Sequence, residues 1–482
     1  MNQRRPDIHD LTGLRTFARL AGAALVASAA GFGSYAGAAE PARPDADGGA
    51  ASEGDLPRGL LGDMGGLRPA LARHGTVLGL TEASEVTGVL RGGLRQGQAY
   101  RGLTTLNLTM DTEQAGAWHG GTLFASALQI HGREFTPEYV GSFHTASNLE
   151  ARRATRLWEL WYRHQVSGSL DIKVGQQSID QEFMINGGAA PFAAAYFGWP
   201  ALPSVDLPAS GGVYPLASLG VRVRAQLSET STLLAGVFAG DAANSSSQDA
   251  QVANPRGTTF SLHGGTLAIA EYQYAVNQAA PGETQGATGL PATYKLGVWH
   301  HSKSFADQRR DAQGLSQADP ASNAGPAQHR GNFSLYATAD RMLWRAQAGP
   351  GAVNVFLRAM AAPSDRNLVS FSADAGLTVT APFAARPHDV LGVGVAFLKL
   401  SQDALALDRD LNAFNNTRIP VRSHETLLEA TYVYQLAPSW LLQGVLQYTI
   451  RPAAGAVDPA DAARKQRIPN ATAVGLRTTM TF

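Results

Sequence analysis

Cysteine is absent from all 482 residues. That excludes a disulfide framework, thiolate metal sites and a cysteine nucleophile. It suits a chain that crosses an oxidising compartment unfolded. Lysine is nearly absent too, limited to Lys173, Lys295, Lys303, Lys399 and Lys465. Acidic and basic residues cancel to a net charge of zero, so nothing calls for nucleic acid as a partner. Charged residues are only 16% of the chain and Gly is frequent, which argues against both disorder and a coiled coil. Beyond the N-terminal region no run approaches the ~18 apolar residues of a membrane-spanning helix. The longest patch, "AAPFAAAYFGWPAL", is broken by prolines. P-loop, G-x-G-x-x-G, H-E-x-x-H and G-x-S-x-G motifs are all missing. We therefore expect no cofactor, no metal and no catalysis.

The N-terminus carries Arg4, Arg5, Arg15 and Arg19, then the weakly apolar run "LAGAALVASAAGFGSYAGAA" and the small residues Ala36-Gly37-Ala38. That order reads as a secretory signal peptide over 1–39, with a membrane anchor as the alternative. Residues 40–58 read as a flexible lead, and 59–482 as one folded unit.

What the folded unit has in abundance is period-two alternation. "TTLNLTMD" sets Leu106, Leu108 and Met110 against Thr105, Asn107, Thr109 and Asp111. "LDIKVGQ", "VRVRAQL", "FSADAGLTVT", "LEATYVYQL" and "WLLQGVLQYTI" behave alike. About sixteen such segments of about 9–12 residues follow one another, the length a tilted strand needs to cross a bilayer. Their starts fall near Thr76, Ala99, Gly120, Thr155, Ser169, Ala217, Ser231, Gly265, Ala292, Asn332, Gly351, Asn367, His388, Ser423, Trp440 and Ala471.

The links alternate. "SG" (167–168), "ET" (229–230) and "APS" (437–439) are tight, whereas 132–154, 179–216, 241–264, 303–331, 402–422 and 452–470 are long. Short turns on one side and long loops on the other predict an all-β transmembrane antiparallel barrel, with both chain ends on the periplasmic side. The links 277–291 and 362–366 fit this alternation least well, one being long for a turn and the other short for an outer loop. A soluble sandwich would also bury one face of each strand. The spread of charge over the polar faces (Asp171, Lys173, Arg222, Arg224, Asp374, Glu429) suits a wet lumen better. Aromatics near strand ends, including Trp118, Tyr272, Tyr274, Trp440, Tyr448 and Phe482, suit interfacial girdles.

Candidate chemistry is then sought at a pore constriction, where diameter and lining charges set selectivity. By parity, Glu159, Trp161 and Arg163 share one face, and Trp299 shares a face with Lys295 and His301. Lys173, Arg222 and Arg224 lie on polar faces. Asp180 and Glu182, Arg309, Arg310 and Asp311, Arg330, and Asp365 and Arg366 lie at strand mouths or in loops. These fifteen are the pore-lining candidates, and the alternative for the charged clusters is a solvated surface. Mixed guanidinium and carboxylate groups hydrogen-bond hydroxyls, and Trp161 and Trp299 could pack on sugar C–H faces, or else face lipid or lie under a loop. "HGGTL" at 119–123 and 263–267 reads as a Gly-Gly turn entering a strand. His300 and His301 would point to opposite faces, which disfavours a shared metal. "FHTASN" (143–148) holds the His, Ser and Asn of outer-membrane phospholipases, at a different spacing.

Several phrases go further: "SALQIHGR" (126–133), "TRLWELWYRH" (155–164), "FGWPALPSVDLPASGGVYPLASLGVRVR" (197–224), "DQRRDAQGLSQADPAS" (307–322), "YATADRMLWR" (336–345) and "APSDRNLV" (362–369). On these the chain resembles the OprB family of carbohydrate-selective outer-membrane porins, from about residue 60 to Phe482. The resemblance implies a sixteen-stranded barrel, passive diffusion of monosaccharides, and no cofactor or catalysis. A general porin and, more remotely, a barrel hydrolase are the alternatives. It implies outer-membrane lipid as surroundings and a monomer or trimer. It also implies that the closing "AVGLRTTMTF", ending on Phe482, is read by the outer-membrane assembly machinery.

Overall fold

A computed structural model of the chain describes residues 59–245, 249–278 and 289–482. The expected signal peptide and lead lie outside these, as does most of the link 277–291. Sixteen strands form one closed antiparallel barrel in which each strand pairs with its sequence neighbours. They are β1 (Thr76–Arg91), β2 (Gly97–Asp111), β3 (Gly121–Gly132), β4 (Ala154–Ser167), β5 (Leu170–Gln177), β6 (Ser218–Gln226), β7 (Ser231–Ala239) and β8 (Thr266–Val276). The circuit continues with β9 (Ala292–Asp311), β10 (Pro326–Arg345), β11 (Ala352–Ala361), β12 (Val369–Thr380), β13 (Val390–Leu400), β14 (His424–Ala437), β15 (Trp440–Ile450) and β16 (Ala471–Thr481). The seam closes in register, Thr81 opposite Thr481 and Glu85 opposite Arg477, so no sheet edge is left unpaired.

Two expectations need correcting. The strands run from 8 to 20 residues rather than about 9–12. The start expected near Asn332 is at Pro326, because β9 and β10 extend together beyond the wall as a hairpin. Most of the supposed long link 303–331 is therefore strand. The long link 402–422 also carries a helix, Gln402–Phe414, capped by Ser401 Oγ accepting from the Ala404 N–H (3.2 Å).

Alternation sorts the side chains as lipid demands. Val221, Val237, Leu296, Leu335, Leu357, Val393 and Leu476 are exposed on the outer face. Glu85, Arg101, Glu271, Arg358, Glu429 and Arg477, of opposite parity, are buried inside. The HGGTL turns use glycine as expected: Gly120, Gly264 and Gly265 hold φ of 73°, 83° and 87°, a region costly for a residue with a Cβ. The first described residues meet the C-terminal strand at the short-turn side. The Phe482 N–H donates to Leu80 O (2.9 Å), the Leu60 N–H donates to Thr481 O (2.9 Å), and Arg68 donates to the Phe482 carbonyl.

Candidate functional site

Two of the long links do not stay outside. Residues 133–153 and 178–217 fold into the lumen and supply half of its largest buried side chains, Phe135, Phe183, Phe192, Tyr196, Trp199 and Tyr214. The two loops touch each other: the Asn148 N–H donates to Ala193 O (2.7 Å) and the Ala195 N–H to Thr145 O (3.1 Å). Neither carries a long helix or a strand to satisfy its own backbone, so its N–H and C=O groups need partners from elsewhere.

The wall provides them. N–H groups go to carboxylates: Ala193 and Ala194 to Glu429 (2.6 and 2.9 Å), Met184 to Glu271 (2.8 Å), Gly188 to Asp340 (2.8 Å), and Phe143 and His144 to Glu425 (2.9 and 2.6 Å). Carbonyls go to cations and amides. Arg358 donates to Met184, Gly198, Tyr196 and Phe197 (2.6–3.1 Å), Lys295 to Ile185 (2.7 Å), and Gln443 to Pro191 (2.7 Å). At the seam Glu85 binds Arg101 (2.6 Å) and Arg477 (2.6 Å), and Ser147 of the first loop joins them.

Eight sequence candidates converge on the inner wall of β4, β5 and β6 and the start of the second loop. Register places Arg163 opposite Lys173, Lys173 opposite Arg222, and Asp171 opposite Arg224. Arg222 pairs with Asp171 and, at 2.6 Å, with Glu182, which also binds Lys173. A bulge in β4 turns both Trp158 and Glu159 inward, and Glu159 accepts from the Ser178 N–H (2.9 Å). Trp161 stacks on Phe124 (4.8 Å between centroids) with Lys173 Nζ 4.9 Å from its ring. In the loop, burial pushes the Glu182 carboxyl up, but the charges of Lys173 and Arg222 outweigh it and hold it near 2. Burial dominates at Asp180 and lifts it to about 6 despite the Ser178 hydroxyl. Phe124, Trp161, Arg163 and Arg224 remain half-buried and face inward towards the periplasmic half of the lumen.

The other candidates lie elsewhere. Trp299 faces inward but is 1% exposed, sealed among Ile269, Leu267 and Tyr336. Arg309 pairs with Asp410 of the outer helix (2.8 Å), and this hydrogen bond lowers the Asp410 carboxyl. Asp311 is buried in its own turn, accepting from Gln313, Leu315 and Ser322, while Arg310 donates to Gly314 O (2.8 Å). Asp365 pairs with Arg366 (2.8 Å) and lies 3.6 Å from His329. Arg330 is exposed on the hairpin. His301 bonds Gly240 O (2.9 Å) inside while His300 faces out, so the two rings diverge. His144 and Ser147 engage different wall carboxylates, Glu425 and Glu85. No group of three or more His, Asp or Glu suited to a metal occurs among the described residues.

Parity alone did not single out Glu85, Arg101, Glu271, Arg358, Glu425 or Arg477. Their partners lie on neighbouring strands, as for Glu85 with Arg101 and Arg477 and for Arg358 with Asp374, or on the incoming loop, as for Glu425, and neither is visible in one alternating segment. Phe124 was legible as the inward neighbour of Ser126.

Comparison with known proteins agrees with this architecture. The family description of carbohydrate-selective porins, OprB family, matches residues 95–482. Porin B of Pseudomonas aeruginosa is 22% identical over 466 residues, covering 93% of this chain and 96% of the relative. The high-pH structure of Pseudomonas putida OprB superposes with a TM-score of 0.74 at 20% identity, covering 88% of this chain and 98% of that one. Its low-pH structure gives 0.51 at 15% identity.

Proposed function

The chain belongs to the carbohydrate-selective porins of the OprB family, and on that premise we propose that it passes monosaccharides by diffusion across the bacterial outer membrane. Family and fold are those of a channel rather than an enzyme. The observation that carries the reading is the pair of inward loops held by wall charges, which narrows a closed barrel and leaves Arg163, Arg224 and the Phe124–Trp161 stack half-buried on its inner wall. A neutral polyol loses water on entering such a constriction and regains hydrogen bonds from the groups that line it.

In this reading Arg163 and Arg224 offer donors to sugar hydroxyls, and the Phe124–Trp161 stack offers an apolar platform to the sugar ring. Glu159, Lys173, Asp180, Glu182 and Arg222 shape the constriction behind them. Arg309, Arg310, Asp311, Arg330, Asp365 and Arg366 form the outer mouth, and Trp299 supports the loop from beneath. Residues 1–39 direct export, and Phe482 is the assembly signal. Liposome swelling tests the proposal: glucose should enter proteoliposomes faster than a charged solute of equal size. Equal rates would reduce the protein to a general porin.

A further inference from the structure

Several arginines at the extracellular rim have a carboxylate close by. Arg95 pairs with Glu138 (2.9 Å), Arg152 with Asp249 (2.7 Å) and Arg422 with Asp408 (2.7 Å). One stretch of the rim departs from this. On the outer face of β13 and β14, Lys399 stands exposed opposite His424 in register. Arg451, just past β15, reaches the same spot. Its Nη1 donates to Ser423 Oγ (3.0 Å) and lies 3.4 Å from His424 Nδ1. Arg467 follows in the next loop, donating from Nη1 to Gly455 O (2.9 Å) and from Nη2 to Val421 O (3.0 Å). Burial, and then the charge of Arg451, lower the Arg467 guanidinium below its usual range, so the two cations act on each other. Among the described residues, none of Lys399, His424, Arg451 and Arg467 pairs with a carboxylate.

Towards the membrane the same outer face turns aromatic. Phe371 lies opposite Lys399 in register, and the Phe397 ring lies 6.3 Å from Phe371 and 5.7 Å from the His424 ring. Deeper still come Val393, Val395 and Leu428, all exposed. Like charges gathered without a counter-charge repel, and an anion set among them turns the repulsion into attraction. Phosphate binds Lys and Arg through charge-assisted hydrogen bonds. The apolar strip that begins at the same point is suited to acyl chains. A ligand with phosphate at one end and acyl chains at the other meets both surfaces, whereas free phosphate meets only the first. Basic groups at the edge of the hydrocarbon are the general form of a lipid-headgroup site. With the long links facing outward, we propose that the outer face of β13–β15 binds the phosphate of an outer-leaflet lipid, Lys399, His424 and Arg451 meeting the phosphate and Phe371 and Phe397 its acyl chains. Arg467 stays behind Arg451, holding loop carbonyls and adding its charge.

Native mass spectrometry of the purified barrel in mild detergent tests this. The protein is titrated with phosphorylated lipid A, with the same lipid stripped of phosphate, and with inorganic phosphate. The phosphorylated lipid should bind about tenfold more tightly than the stripped one. Lys399→Gln/Arg451→Gln should remove that preference, and Lys399→Gln alone, an exposed and structurally mild change, should weaken binding by roughly threefold. Arg153→Gln, exposed elsewhere on the rim, should stay within about twofold of the unmodified protein. Heat-modifiable migration confirms first that each variant is folded. The proposal is overturned by equal binding of the stripped lipid, or by variants at Lys399 and Arg451 that bind like the unmodified protein. Millimolar inorganic phosphate that displaces the lipid completely would make this a site for the free anion and overturn the lipid assignment. The readout is lipid binding and not solute passage, so its failure would leave sugar diffusion untouched.

Discussion

Replacing Arg358 by methionine keeps the length of the side chain and removes its charge. Arg358 is 1% exposed and holds four carbonyls of the second loop while pairing with Asp374 at 2.9 Å. Methionine leaves Asp374 uncompensated and those carbonyls without their cationic donor. Breaking a buried pair in this way costs about 3–5 kcal/mol. The cost falls on the docked state, because the docked loop shuts Asp374 away from water and an open loop lets water reach it. At about 1.4 kcal/mol per factor of ten, the undocked loop becomes roughly 100- to 4,000-fold more populated. Hydrogen exchange reads this directly, since the N–H groups of Met184, Ala193 and Ala194 are bound to wall carboxylates and exchange only when the loop leaves. Peptides within 179–213 should exchange faster by about that factor, while peptides from β14 and β15 should not change. Bilayer recordings should show brief steps to a larger conductance. A loop acceleration under about threefold, or an equal acceleration in the strands, refutes the account of Arg358 as the loop's anchor.

Arg224→Ala should shift ion selectivity towards cations and weaken sugar block of the current; an unchanged reversal potential in a salt gradient would remove Arg224 from the pore. Arg222→Ala leaves Asp171 and Glu182 without their shared partner, so the temperature of the heat-modifiable gel shift should fall, and no fall would mark the cluster as dispensable. Burial lifts Glu150 in the first loop to about 7, against an unfolded value of about 4.3, so the docked loop binds the proton more tightly than the open one. Its exchange protection, corrected for intrinsic rates, should therefore rise as pH falls from about 7 to about 4.3; Glu150→Gln should abolish the trend, and protection rising with pH would contradict it. Deleting Phe482 should lower the amount of folded barrel in the outer membrane several-fold while leaving the conductance of the surviving channels unchanged, checked by heat-modifiable gels and single-channel recording.

Strand positions were legible because lipid enforces them. Every second residue of β12 or β15 must be apolar, and the wet lumen frees the others, so the period is written into "FSADAGLTVT" and "WLLQGVLQYTI". The signal fails where lipid ends. The outer parts of β9 and β10, "KSFADQRRD" and "PAQHRGN", extend beyond the wall, where no lipid faces them and nothing forces apolar alternation. The helix Gln402–Phe414 was also missed, although Ser401 followed by Ala404 and Leu405 carries its cap and its buried face. Strand periodicity on either side makes such an insertion look like an unstructured loop.

The site was legible by face and not by partner. Parity places Asp374, Glu429 and Arg222 in the lumen, and a lumen-facing charge then reads as a group that meets solute. Many of these charges meet protein instead. A loop of some forty residues entering the barrel brings backbone donors and acceptors in nearly equal number, and burying them unsatisfied costs about 1–3 kcal/mol each. Carboxylates on the wall take the N–H groups, and Arg, Lys and Gln take the carbonyls. Near-equal numbers of lumen acids and bases follow from that requirement alone, whatever passes through. Charge balance therefore supports a narrowed barrel, and selectivity has to rest on the smaller set that stays half-exposed: Arg163, Arg224 and the Phe124–Trp161 stack. Substitutions there should change sugar passage with little effect on loop exchange, and substitutions at Arg358 or Glu429 should change loop exchange first and sugar passage only as its consequence.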